Sequence, residues 1–260
     1  ETWGYVSRKS GEYNQLLAEE LPVSLYKDDK DPGRYLGRPV KKIPAIRKGW
    51  KEYQDTGVHV SYIATIGRSV VPPKLLPETQ ITNQVIDLLQ ANAKRNFMIT
   101  ASWSPPHDLW VMPEPYYSMV PRDKMKLPGT KDLPAWDQKG ASKRLGDIMG
   151  EKGIREYAAI YHGMVKYIDD ELGRVLKKLD DLGLTDNTLV VFTTDHGDMA
   201  GAHGCIGKSI TSIFDDLMRI PLLMRLPGRI QPGTVVKQFV SQIDFMPTIL
   251  DYLDLPIPKD

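Results

Sequence analysis

The chain has 260 residues, 41% of them hydrophobic, enough for one large domain or two small ones around a buried core, which excludes wholesale disorder. Lys and Arg number 34 against 33 for Asp and Glu, so net charge points to no nucleic-acid or acidic-membrane partner. A single cysteine, Cys205, excludes an internal disulfide framework and a multi-cysteine zinc cluster, and no run approaches the roughly 18 to 20 apolar residues of a membrane span.

The start, Glu1-Thr-Trp-Gly, has neither an initiator Met nor a signal-peptide pattern and reads as an excised or processed segment. Residues 1–75 form a first, loop-rich segment, rich in Lys, Arg, Asp, Gly and Pro as in Tyr26-Lys-Asp-Asp-Lys-Asp-Pro-Gly-Arg34. Val58-His-Val-Ser-Tyr-Ile63 alternates as a strand does, and Pro72-Pro73 closes the segment. The remainder, 76–260, is better ordered in pattern. Thr79 or Thr82 caps a predicted helix through about Ala93, with Pro77 just outside its start and Val85, Ile86, Leu88 and Leu89 at helical spacing. Phe97-Met-Ile-Thr-Ala-Ser102 is then long enough for a buried strand but not for a helix.

After Ser104-Pro-Pro-His-Asp108, a Pro-, Lys- and Asp-rich stretch to about Gly150 is expected on the surface. Ile154, Tyr157, Tyr161, Met164, Ile168, Leu172, Val175 and Leu179 step by three or four, predicting a helix over 154–180 that Gly183 stops. Asp186-Asn187 makes a turn, and Thr188-Leu-Val-Val-Phe-Thr-Thr194 has the apolar, β-branched character of strands that parallel sheets bury on both faces. Ile220 to Arg225 is a further strand, and Asp244 to Leu253 a closing helix begun near Pro247. A helix and buried strand in repeated succession indicate an α/β fold.

In open α/β sheets, ligands bind outside the carboxyl ends of the strands. Asp195-His196-Gly197-Asp198 directly follows the strongest strand: its carboxylate and imidazole can share one divalent ion while Gly197 permits a sharp turn, or the Asp can merely cap a helix. His107 follows the other strand, either as a ligand or as an exposed loop histidine. Lys208 grips an anionic group as a point charge or is simply solvated. His203, in the glycine-rich Gly201-Ala-His-Gly204, folds back over Asp195 or stays on the surface. Cys205 lacks the flanking groups of an activated thiolate and reads as a small, partly buried residue. A phosphate-cradling Gly-x-x-x-x-Gly-Lys loop, a Gly-x-Ser-x-Gly elbow and a His-Glu-x-x-His helix are all absent from the sequence.

Taken in order, Ser104-Pro-Pro-His-Asp108, the helix bearing Tyr157-Ala-Ala-Ile160 and Asp169, Asp186 through Asp198, Gly201-Ala-His-Gly204, Lys208, Arg219 through Ile230 and Asp244-Phe-Met-Pro-Thr-Ile-Leu250 resemble the sulfatase family of the alkaline phosphatase-like superfamily. The resemblance covers about residues 78–256. It implies an α/β sandwich with a mainly parallel sheet between helices, here incomplete. It also implies a sulfuric ester hydrolase in which a formylglycine made from Cys or Ser attacks sulfur beside a divalent cation, usually calcium. Asp195 and His196 match metal ligands, Lys208 matches the lysine on the sulfate, and His107 matches a histidine on the sulfate or leaving-group oxygen, with His203 on the substrate side.

Two departures qualify this resemblance. The nucleophile motif, Cys or Ser followed by x-Pro-Ser/Thr-Arg, is absent, as are matches to the early Asp-Asp metal pair and the Lys-x-His segment, so the chain reads as the middle and later part of a catalytic domain. The formylglycine is then expected upstream, and the chain alone is expected to be inactive. His196 stands where many relatives carry Asn, while His also occurs there in relatives that cleave phosphonate monoesters and phosphodiesters; imidazole favours manganese or zinc over calcium. The alternatives are therefore a phosphonate or phosphodiester hydrolase, or a non-catalytic homologue binding anionic glycans. The expected partner is a small-molecule or glycan sulfate ester; analogy places the protein in the periplasm or outside the cell, and the oligomeric state is not readable.

Overall fold

The computed structural model describes residues 2–6, 40–42, 66–69, 71–107, 110–128, 141–208 and 213–258. The expected strand at 58–63 and the charged loop at 26–34 lie outside these residues. Within the first 75 residues the described backbone forms three strands, β1 (Thr2–Val6), β2 (Val40–Lys42) and β3 (Ile66–Ser69). β1 runs parallel to β4 (Phe97–Ala101), with Thr2 opposite Phe97 and Val6 opposite Ala101. β3 runs parallel to β5 (Trp110–Met112) and antiparallel to β2. The class is α/β, as the sequence predicts, with parallel ladders flanked by helices.

The first long helix, α1 (Pro77–Asn92), begins earlier than the threonines suggest. Pro77 lies inside it at the first turn, where a missing N–H costs nothing and a fixed φ favours the helix. Thr79 therefore does not cap. Its Oγ1 lies 2.8 Å from the Tyr167 hydroxyl and 3.1 Å from Glu171 Oε1, joining α1 to the next helix. β4 matches the predicted strand but alternates between half-buried and exposed residues, Met98 being 47% exposed, so it is not buried on both faces.

The stretch expected to be a surface loop contains β5, whose Trp110, Val111 and Met112 are all buried. Three apolar residues are too few to show a periodicity, and only pairing with β3 and cover from the long helix that follows reveal their role. Helix α2 (Ala141–Asp181) contains the predicted 154–180 helix and is broken at Gly150, where φ is 60° and ψ −178°. Its apolar face puts Ile154, Tyr157, Ile160, Met164, Tyr167 and Ile168 into one core with Ile66, Trp110 and Met112. Farther along, Leu179 packs with Ile81, Val85 and Leu89 of α1. The helix stops at Gly183 as expected, with φ 67°, the Gly183 N–H bonding to Asp180 O at 3.0 Å and the Leu184 N–H to Leu179 O at 2.9 Å.

Strand β6 (Val190–Thr193) is shorter than predicted, and its partner runs the other way. It pairs antiparallel with β7 (Leu222–Arg225), Val190 opposite Arg225 and Thr193 opposite Leu222, and its residues are half-buried or exposed. Apolar, β-branched composition favours a strand but fixes neither its burial nor its direction, which is left to the connection, here the Gly-rich loop and the short helix α3 (Asp215–Met218). The closing helix α4 (Phe245–Tyr252) starts before Pro247 and is preceded by a single 3₁₀ turn at Gln242–Asp244. Among the described residues no helix is long and apolar enough to cross a membrane.

The α2 core gives a pH test. Burial, reinforced by a hydrogen bond to Asp170, raises the Tyr116 hydroxyl from 10.0 to about 12. Burial raises Tyr157, Tyr161 and Tyr167 as well, the first two helped by the Asp198 carboxylate and the third by Glu78. The unfolded chain releases these protons near 10.0 while the folded chain keeps them. Their contribution to stability is thus whole below that value and is lost as pH rises toward the folded values. Denaturant midpoints measured between pH 9 and 11, with tyrosinate absorbance followed in the native protein, are expected to fall before the buried tyrosines ionise in the native protein. Native ionisation of all tyrosines near 10 would refute this.

Candidate active site

The chain leaves β6 at Thr193 and turns at once, so Thr194, Asp195 and His196 stand at the strand's carboxyl end. The His196 backbone N–H donates to Asp195 Oδ1 at 2.8 Å, and Thr194 Oγ1 lies 3.2 Å from the same oxygen. Partial burial pushes the Asp195 carboxyl up, but the His196 N–H, the nearby imidazole and Thr194 outweigh it and hold the group below its ordinary value. The carboxylate is therefore ionised at neutral pH.

His196 Nδ1 lies 2.7 Å from Gly197 O. A carbonyl only accepts, so Nδ1 carries a hydrogen, and the neutral form of the ring has its lone pair on Nε2. That Nε2 is 3.5 Å from Asp195 Oδ2, and the two side chains are 38% and 81% exposed, open to an ion from solvent. With ligand bonds of about 2.0–2.2 Å each, one divalent cation can hold both atoms. The donor set fits a metal of mixed oxygen and nitrogen preference but provides only two ligands; no group of three or more His, Cys, Asp or Glu is gathered for a metal among the described residues.

Gly197 is needed for a reason other than a sharp turn. A Cβ there would lie 1.9 Å from Asp216 O, and the Gly197 N–H donates to Leu217 O at 2.8 Å, so the backbone presses directly on the α3 segment. Beyond Asp198 the chain makes a tight loop, with Ala200, Gly201, His203, Gly204 and Gly207 all at positive φ. The Met199 N–H closes it onto Gly207 O at 3.0 Å. Cys205 is buried in this loop with Met199, Ala202 and Leu217, a packing role that agrees with its sequence reading.

The loop delivers Lys208 to His107, 101 positions away in sequence, with Nζ 2.9 Å from His107 Nε2. With Lys208 as an ammonium, which only donates, His107 Nε2 is the acceptor of this contact. Both side chains are exposed. His203 stacks on Phe214, ring centroids 4.4 Å apart and planes 22° apart. The structure thus brings together Asp195 with His196 and His107 with Lys208, and places His203 on an aromatic ring.

Two residues carry the site without having been singled out. Asp198 accepts hydrogen bonds from the Tyr157 hydroxyl and, at 2.8 Å, from the Ala200 N–H. Its burial raises its carboxyl, only partly offset by these donors. Gln242 Nε2 donates to Thr194 O at 2.8 Å and Asp195 O at 2.9 Å, fastening the turn before α4 to the candidate metal loop. Asp198 lay inside the motif and Tyr157 on the apolar face; Gln242 has no sequence signal at all.

Comparison with known proteins bears on the family and the fold. The Sulfatase family model matches residues 7–255, well upstream of the resemblance read from motifs. The chain is 30% identical over 224 residues to the multifunctional alkaline phosphatase superfamily protein PehA of Trinickia caryophylli, covering 78% of this chain and 43% of that protein. It is 29% identical to an arylsulfatase of Clostridium perfringens, covering 71% and 40%. The phosphonate monoester hydrolase from Silicibacter pomeroyi superposes with a TM-score of 0.67 at 25% identity, over 81% of this chain and 47% of that one. The chain therefore spans less than half the length of these relatives.

Proposed function

We propose, starting from the fact that the chain belongs to the sulfatase family, that it builds the metal and anion side of a site hydrolysing a sulfate ester of a small molecule or glycan. The observation that carries this reading is the 2.9 Å contact of Lys208 with His107, which brings together two basic groups from distant parts of the chain, alongside the adjacent exposed Asp195 and His196 at the end of β6. In this reading Lys208 holds an oxygen of the transferring group by charge and direct donation. Lys208 keeps its charge on that oxygen, while His107, oriented by its contact with Lys208, is placed to relay a proton from solvent to the departing alkoxide. Asp195 Oδ2 and His196 Nε2 would hold the divalent ion, which supplies positive charge that polarises the sulfuryl oxygens. Calcium is the family's usual ion, and the imidazole nitrogen of His196 shifts the preference toward manganese or zinc. The formylglycine does not fit here: Cys205 is buried and followed by Ile206-Gly207-Lys208, and Cys or Ser-x-Pro-Ser/Thr-Arg is absent from these 260 residues.

The second reading, phosphonate or phosphodiester hydrolysis, is favoured by His196 and by the likeness to the phosphonate monoester hydrolase. One assay separates them. In the intact protein loaded with manganese or calcium, turnover of an aryl sulfate is expected to exceed that of an aryl phosphonate monoester. The reverse order moves the assignment to phosphorus. Sulfate binding with no turnover of either moves it to the anion-binding alternative. The 260-residue polypeptide alone is expected not to turn over, and turnover by it would overturn the exclusion of a nucleophile from these residues.

A further inference from the structure

The glycine-rich loop that carries Lys208 is packed through Met199, Cys205 and Ile206, and its first and last residues also meet on one carboxylate. Asp198 accepts from the Tyr157 hydroxyl and the Ala200 N–H, and the Gly207 N–H bonds into the same cluster. Tyr157 is fully buried on α2, its ring edge-on to Trp110 with centroids 4.6 Å apart at 87°. Trp110 in turn lies under Gly207, where an added Cβ would be 3.7 Å from the indole. Gly207, at φ 71°, is the residue before Lys208.

We infer that Asp198 and Tyr157 are positioning residues that set Lys208 against His107, by tying both ends of the loop to the buried Tyr157–Trp110 pair. Neither residue touches the transferring group. They act through the backbone of residue 207, so that the ammonium is held in place rather than searching from a mobile glycine loop. The inference rests on the proposed role of Lys208, and its test keeps the two apart.

In the intact protein, Tyr157→Phe removes one oxygen and keeps the ring against Trp110. It is expected to weaken inorganic sulfate binding about 10-fold and to lower kcat by a similar factor with little change in KM, while manganese affinity stays within about two-fold. In a Lys208→Ala background the same change is expected to cost nothing further, since Tyr157 acts through Lys208. A purely structural role would lower the melting temperature and both affinities together, or would add fully to Lys208→Ala; either outcome overturns the inference. Should Tyr157→Phe fold poorly, Asp198→Asn is read in the same way, because it retains an oxygen acceptor for the loop while weakening the anchor. If Lys208→Ala itself leaves sulfate binding and turnover unchanged, the proposed function fails, and the inference with it. If Lys208→Ala is damaging and neither anchor variant is, only the positioning inference fails.

Discussion

Replacing Asp195 by Asn lowers manganese affinity of the intact protein by about 100-fold or more and turnover with it, with a change in melting temperature of no more than a few degrees. The side chain is 81% exposed and makes no core contact, so its removal costs little packing. What it supplies is charge. The carboxylate is kept ionised by the His196 N–H, the imidazole and Thr194 against the pull of partial burial, and Asn keeps its shape while discarding that charge. His196→Ala, which removes the Nε2 lone pair and leaves the carboxylate, should weaken manganese more than calcium, because the nitrogen ligand is the part that calcium uses poorly. Isothermal titration with each ion checks both statements. Unaltered affinity in Asp195→Asn would show that the ion is held elsewhere and would remove the metal role from this pair.

The second large effect is at Lys208. Lys208→Ala is expected to reduce kcat by about 10²–10³, the usual cost of deleting one donor to developing charge, and His107→Ala by a comparable factor. The double variant should be little worse than either single one, because the two nitrogens work as a contacting pair at 2.9 Å. Lys208→Arg should recover little, since a planar fork cannot reproduce a compact ammonium set against a single ring nitrogen. Steady-state kinetics on an aryl sulfate test the set. Fully additive losses would mean that Lys208 and His107 act on different steps and that their contact is incidental.

Some of this was legible along the chain because it is local. Asp195 and His196 are adjacent, so any fold placing that segment at a strand end presents them together. The α2 face repeats every three to four residues because the helix itself does, and Phe97–Ala101 is bounded by turn-forming neighbours. Composition and the order of the motifs determined the α/β class and the family. The boundaries that slipped did so where one residue type serves two purposes, as at Pro77, which opens α1 instead of preceding it.

What only the tertiary structure decided is everything that depends on closing a long loop. The meeting of His107 with Lys208, the tie from Asp198 to Tyr157 across 41 positions and the clamp of Gln242 on Thr194 and Asp195 leave no periodic mark in sequence. The same holds for β5, three apolar residues inside a polar stretch, and for the antiparallel direction of β6 and β7. The physical reason is common to all of them. A helix or strand repeats its own geometry over neighbouring residues, whereas a contact between distant side chains is selected by packing after the backbone has turned, and the residues between are free to vary without disturbing it.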